Sequence, residues 1–322
     1  MIERLERFQL PLCLAAVLLG IVAGAWAPRL AHPLELALTP ILALLMCATF
    51  LAVPLAWLAP ALRDGRFIGA ILTLNFVVVP AVVWLLTRTD RGLLLAAYPV
   101  DTGIRVGVVL VLLAPCVDYV IAFTGLAGGA RDRLLATAPL LLLVQAVLIP
   151  LYLPLMVGGD SFQIEAGPFI EALVVLLLIP LIVAAVVQAT RRRSRLARGI
   201  DRAGTVGMVP LMMATLFTVV GAQSAKIGAE IMTVLIAVPT YVLFLIVMFP
   251  LGILIGKLFV LDVPGTRALT MSGATRNSLV VLPLALALPE PLQAAALVVV
   301  TQTLVELTGM LVYVRVVPRL IR

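Results

Sequence analysis

Four residues of this chain carry reactive groups into otherwise apolar surroundings: Cys116, Asp118, Arg276 and Glu306. A thiol is a soft ligand that suits thiophilic solutes. A guanidinium is a permanent cation, and a carboxylate inside a membrane-length run can take part in a proton relay. Each charge costs about 2.5–3.5 kcal/mol at the centre of a membrane helix on insertion scales, so such residues pair, face a cavity or mark a function. Three of them fall in two interruptions of apolar runs, Ala114-Pro115-Cys116-Val117-Asp118 and Ala274-Thr275-Arg276-Asn277-Ser278. Polar groups and Pro at that depth are tolerated only where protein or a water-filled cavity receives them. Helices interrupted at corresponding positions of two halves point to the binding centre of a secondary transporter.

The candidate substrate-binding set is Cys116, Asp118, Asn75, Thr275, Arg276, Asn277 and Ser278, with Gln145 and Gln302 as supporting polar groups. Glu306, in a span almost free of other charge, is the first candidate for proton coupling, and Asp118 is the second. If the two interruptions cross, Asp118 and Arg276 are expected to pair, directly or through water. The bland alternatives stay open: Cys116 as a small buried hydrophobe, the ion pair as a fixed helix lock, and Gln145 as interhelical glue.

The elements that must position these groups are membrane helices. Of 322 residues, 63% are hydrophobic and 12% are charged, with a mean hydropathy of +1.20, against about 45–50% apolar usage in soluble domains. Runs near the 20 residues needed to cross a bilayer are predicted near 8–27, 35–59, 66–87, 103–128, 133–157, 167–189, 204–222, 229–256, 268–288 and 292–314. The reading is an all-α polytopic membrane protein forming one transmembrane transporter domain over 1–322. It is localised to the cell membrane, with ten spans and both termini cytoplasmic. That topology puts Arg4, Arg7, Arg63, Arg66, Arg131, Arg133, the cluster Arg191 to Arg202, Lys257, Arg267, Arg315, Arg319 and Arg322 inside. Only Arg29, Arg88, Arg91, Arg105 and Lys226 remain outside, an excess that fits the positive-inside rule. The net charge of +7 therefore reports topology rather than nucleic-acid binding.

Met1 to Ala27 has the charged start and apolar stretch of a signal peptide, but its apolar run exceeds the usual h-region and is expected to be the first span. Cys13, Cys47 and Cys116 lie in predicted spans without metal-ligand spacing, so no zinc site and no cofactor is expected. His32, beside Pro33, reads as a solvated residue of the first external loop. No nucleotide-binding loop or familiar catalytic motif appears, so an enzyme is not expected, and coupling comes from an ion or proton gradient or is absent.

A shift of 160 residues places Ala114–Asp118 on Ala274–Ser278, and a shift of 161 places Gln145 on Glu306. Five spans per half is an odd number, so the halves, about 1–157 and 167–322, are expected as inverted repeats. Their broken fourth and ninth helices should cross near the midplane. The longest loops are expected at Gly158 to Ala166 and at Arg191 to Arg202. Gly20/Gly24, Gly103/Gly107 and Gly252/Gly256 have the GxxxG spacing that lets helices approach closely.

Several stretches together resemble the superfamily of bile acid:sodium symporters and arsenite-efflux permeases, over most of the chain and most closely its arsenic-resistance branch. They are Leu74 to Pro80, Ala114 to Tyr119, Gln145, Gly273 to Ser278 with Leu279 to Pro289, and Glu306. The resemblance implies ten helices, with the fourth and ninth unwound where they cross, and a core that moves against a flatter panel. It also implies that a cysteine at the place of Cys116 and a glutamate at the place of Glu306 serve arsenite efflux. Arsenite is a small, largely neutral solute whose arsenic prefers sulfur, and a titrating carboxylate can link its exit to proton entry. In the ninth span that branch has consecutive asparagines followed by a glutamate, where this chain has Arg276-Asn277-Ser278-Leu279. Sodium-coupled relatives gather neutral and acidic oxygens at the crossing, where a guanidinium would repel sodium, so protons or the membrane potential are favoured over sodium. The alternative is a symporter in which Arg276 and nearby helix N-termini hold an organic anion. A membrane-embedded sensor or assembly factor that moves no solute is a third class.

Overall fold

The computed structural model describes residues 9–26, 31–52, 64–87, 102–117, 119–157, 178–229, 231–286 and 294–322, with isolated positions between them. In chain order the helices are α1 (Gln9–Trp26), α2 (Ala31–Ala52), α3 (Gly65–Thr87), α4 (Thr102–Leu113), α5 (Tyr119–Leu126) and α6 (Arg131–Val157). They continue as α7 (Ile179–Thr190), α8 (Arg195–Ala229), α9 (Ile231–Leu258), α10 (Val263–Ala274), α11 (Ser278–Leu286) and α12 (Ala294–Leu320). Among the described residues, five helices are long and apolar enough to cross a membrane, or six if the bent α8 counts as one span. The protein is an all-helical, multi-pass membrane protein. Its helices sort into two compact units, Met1–Leu55 with Ile170–Ile231 and Ala56–Phe169 with Met232–Arg322.

The first unit holds α1, α2, α7 and α8. Gly20 lets α1 lie against α8, since a Cβ there would stand 2.9 Å from the carbonyl oxygen of Phe217. The amide of Gln188 on α7 donates to the carbonyl of Phe50 at 3.0 Å, satisfying an acceptor that the end of α2 leaves open. The basic stretch expected as a loop is mostly helix: residues 191–193 turn, the Ser194 hydroxyl accepts from the Ala197 amide at 3.2 Å, and α8 begins at Arg195. Serine at the N-cap supplies the missing acceptor, and the arginines then line the first turns. α8 bends by 45° at the Gly204–Val206 break, where Pro210 cannot donate to the carbonyl four residues back. His32 is exposed as expected but sits in the first turn of α2 rather than in a loop. The expected loop Gly158 to Ala166 lies outside the described residues.

The second unit holds the remaining helices, and its small residues set their spacing. A Cβ on Gly107 of α4 would stand 2.8 Å from both the Cα and the carbonyl oxygen of Ala295 on α12. Gly252 and Gly256 bring α9 equally close to Thr270 and Thr266 of α10. The contacted atoms at Ala295 are backbone, which a side chain cannot push aside without separating the helices.

α3 is a single helix interrupted by a π-helical turn at Leu74–Val78. Pro80 explains part of this widening, because it lacks the amide that would bond the carbonyl of Phe76. The hydroxyl of Tyr152 on α6 takes up that carbonyl at 2.7 Å. Two aspartates start the helices that carry the central polar groups: Asp64 accepts from the Phe67 amide at the head of α3, and Asp262 accepts from the Gly265 amide at the head of α10. The guanidinium of Arg133 bridges both carboxylates, at 3.4 Å from Asp64 and 2.6 Å from Asp262.

Candidate functional site at a crossing of two interrupted helices

α4 stops at Leu113 and α5 resumes at Tyr119, while α10 stops at Ala274 and α11 resumes at Ser278. Between them residues 114–117 and 275–277 leave the helical conformation, and an isolated antiparallel bridge pairs Pro115 with Arg276. The Cys116 amide donates to the carbonyl of Thr275 at 3.3 Å, and the Asn277 amide donates to the carbonyl of Ala114 at 2.8 Å. Backbone groups that leave a helix in the middle of an apolar protein must find partners. Here each broken segment supplies them to the other. Pro115 suits this exchange because the bridge asks no amide of it.

Arg276 is fully buried. Its guanidinium donates from Nη2 to Asn75 Oδ1 at 2.7 Å, to the Ser272 carbonyl at 2.6 Å and to the Gly273 carbonyl at 2.9 Å. From Nη1 it donates to the Leu112 carbonyl at 3.3 Å, and its Cζ lies 5.7 Å from the centre of the Phe244 ring, within cation–π range. Asn75 is aimed by the π-helical turn, and its own amide donates to Ile71 and to Ser272 Oγ.

The backbone of the same arginine engages the second charged group. Glu306 Oε2 accepts from the Arg276 amide at 2.7 Å and also from the side-chain amide of Gln302, one turn earlier on α12. Glu306 Oε1 stands 2.5 Å from the hydroxyl of Tyr119, and that hydroxyl lies 3.1 Å from the carbonyl of Arg276. The carboxylate and the hydroxyl thus hold both polar groups of the Arg276 peptide.

The remaining sequence candidates fall as follows. Cys116 is fully buried within the bridge. Thr275 donates to the Met271 carbonyl at 2.5 Å, while Asn277 caps α11 by accepting from the Val280 amide at 3.2 Å. The hydroxyl of Thr303 on α12 donates to Ser278 Oγ at 2.7 Å. Gln145 is fully buried in the middle of α6, with neither amide atom hydrogen-bonded among the described residues. Asp118 lies outside the described residues, so its expected pairing with Arg276 stands as an expectation. Four participants are not among the site residues expected from sequence: Tyr119, Ser272, Phe244 and Thr303. The first two border the interruptions and were legible as polar residues flanking a break. Thr303 had no signal beyond its place one residue from Gln302.

Among the described residues no cluster of three or more His, Cys, Asp or Glu side chains is placed to hold a metal ion. A comparison with curated proteins finds no match. The family model of the SBF-like CPA transporter family (DUF4137) matches residues 14–319, nearly the whole chain. A polytopic helical protein matched over that length, whose two interrupted helices meet around buried charge, belongs to the SBF-like CPA transporter family.

Proposed function

We propose that this transporter is a secondary active carrier that exports arsenite or a related metalloid across the cell membrane, driven by the proton gradient or the membrane potential. The observation that carries the reading is the bridge at Pro115 and Arg276, which ties a thiol and a titratable carboxylate to one pair of unwound segments. The backbone amide of Cys116 donates to the carbonyl of Thr275, and Glu306 accepts from the very next amide. A solute held by sulfur and a proton held by Glu306 would then compete for, or stabilise, one backbone arrangement.

In this reading the Tyr119 hydroxyl is the coupling hinge. It carries one proton and has two acceptors within reach, Glu306 Oε1 and the Arg276 carbonyl. With Glu306 ionised, Tyr119 donates to the carboxylate. When a proton arrives on Oε1, the acid donates to the tyrosine oxygen instead, and the tyrosine proton turns to the Arg276 carbonyl. Protonation is thereby passed to the backbone of the crossing.

Ten helices in two inverted repeats, with a single transporter domain and both termini cytoplasmic, belong to the same proposal. Supporting it, each chain half contributes its opening portion to one unit and the rest to the other. The corresponding helices also match in length: α4 and α10 have 12 residues each, and α6 and α12 have 27 each.

The test is arsenite accumulation by everted vesicles with and without an imposed proton gradient. Gradient-dependent accumulation is expected, and the Tyr119→Phe variant should bind arsenite normally while its proton-driven rate falls roughly ten- to a hundredfold, the worth of one hydrogen bond to a charged group. Sodium-dependent movement of an organic anion without arsenite transport would replace this reading by the alternative symporter.

A further inference from the structure

The oxygens around Arg276 form an arrangement that is usually built for a free cation. Four neutral oxygens converge on its guanidinium: Asn75 Oδ1 and the carbonyls of Leu112, Ser272 and Gly273. Three of these carbonyls belong to the final turns of the half-helices α4 and α10. A helix C-terminus carries the equivalent of about half a negative charge, so the two ends together present about one. Half-helix ends and unwound carbonyls of this kind are what transporters use to hold a cation at mid-membrane depth. Here the charge they present is met by a side chain of the protein itself.

The guanidinium is closed off from solvent, and its Nε has no hydrogen-bond partner among the described residues. Both of its terminal nitrogens are committed to neutral oxygens, the Phe244 ring lies against it, and the side chain has no accessible surface. Glu306, the carboxylate nearest in the hydrogen-bonding scheme, bonds the Arg276 backbone amide rather than its guanidinium. Among the described groups, two helix C-termini and the Glu306 carboxylate stand on one side of the balance, and the tethered cation with the N-termini of α5 and α11 on the other.

We propose that Arg276 is a built-in cation filling a monovalent-cation site formed by Asn75 and the ends of α4 and α10, so that the crossing is neutralised without an ion from solution. This deepens the proposed function by naming what the crossing does not need, and it rests on that reading only for the direction of coupling. The site itself can be tested without any transported solute. The consequence is specific. Shortening the side chain should turn a filled cage into an open one that takes a monovalent cation of matching size, and free guanidinium should be able to return to its place.

The experiment is thermal unfolding of purified protein in nanodiscs at constant ionic strength, with N-methylglucamine as the reference cation and sodium, lithium, potassium or low-millimolar guanidinium as probes. Wild-type protein is expected to show the same midpoint in all of them. Arg276→Ala is expected to unfold at a lower temperature in N-methylglucamine and to regain several degrees in sodium or guanidinium, because a ligand that binds only the folded state raises its stability with concentration. Arg276→Lys, which keeps a tethered charge, should stay insensitive to the ion. A folded Arg276→Ala with the same midpoint in every cation overturns the proposal. So does a sodium-specific rise in the midpoint of the wild-type protein, which can be read even if the alanine variant does not fold. Loss of arsenite transport in any of these proteins bears on the substrate and not on this cage.

Discussion

Glu306→Gln is expected to leave the protein folded and to reduce proton-driven transport to that of vesicles without the protein. The reason lies in the three donors that converge on this side chain: the Arg276 amide, the Gln302 amide and the Tyr119 hydroxyl. A glutamine can keep its oxygen on the first two and place its amide nitrogen where Oε1 now stands. It then donates to the tyrosine oxygen while Tyr119 donates to the Arg276 carbonyl, which lies within reach. The variant thus copies the protonated acid and cannot leave that state. Its stability should change by no more than about 1 kcal/mol, the typical net worth of one hydrogen bond. Glu306→Ala is the informative contrast, since it strands buried donors at about 1–3 kcal/mol each and should lower the unfolding midpoint sharply. Thermal melts and gradient-driven flux, measured on both variants, separate the coupling role from a merely structural one.

The second large effect is expected at Cys116. Serine is slightly smaller and exchanges a soft sulfur for a hard oxygen, so Cys116→Ser should fold normally while losing arsenite transport. The residue's structural bond is made by its backbone amide to Thr275, which serine retains. Retained arsenite transport would return Cys116 to the part of a small packed residue. Retained transport of an organic anion, with arsenite never moved, would favour the alternative carrier.

Much of this site was legible in the sequence because membrane interiors penalise polarity so heavily. Pro115 and Arg276 stand out in runs of Leu, Val and Ala, and both mark places where a helix stops. The pairing of the two breaks followed from their 160-residue spacing, and the structure joins them through the Pro115–Arg276 bridge. What the arginine bonds was not legible. A charge invites the search for an opposite charge, whereas its guanidinium here is held by Asn75 and three carbonyls, groups that every helix end possesses. The π-helical turn that aims Asn75 was hidden for a similar reason: Pro80 signals a local irregularity, but the hydroxyl that compensates for it comes from Tyr152, 76 residues from the carbonyl it serves. Likewise, the basic stretch after α7 reads as a loop by charge alone, and it is the Ser194 cap that converts its second part into helix.

The fold's close approaches were more accessible to reading than its helix ends. Glycine spacing at Gly103/Gly107 and Gly252/Gly256 predicted contact, and at each of the four a Cβ would crowd a neighbouring helix or the turn beside it. By contrast, the pairing of Arg133 with both Asp64 and Asp262 joins residues far apart in sequence, and charge patterning alone offered no way to match them.

The central claim is that the two interrupted segments lie side by side, and the bridge offers a direct test. Cys116 lies opposite Thr275 beside it, its amide 3.3 Å from the Thr275 carbonyl, so a cysteine at 275 would stand on the neighbouring position of the facing segment. The measurement is mass-spectrometric mapping of disulfides in Thr275→Cys after mild oxidation in membranes and denaturing alkylation. A cross-link between residues 116 and 275, absent from wild type and reversed by reductant, is the predicted result. Free thiols at both positions in the folded, oxidised variant would contradict the crossing and, with it, the site built upon it.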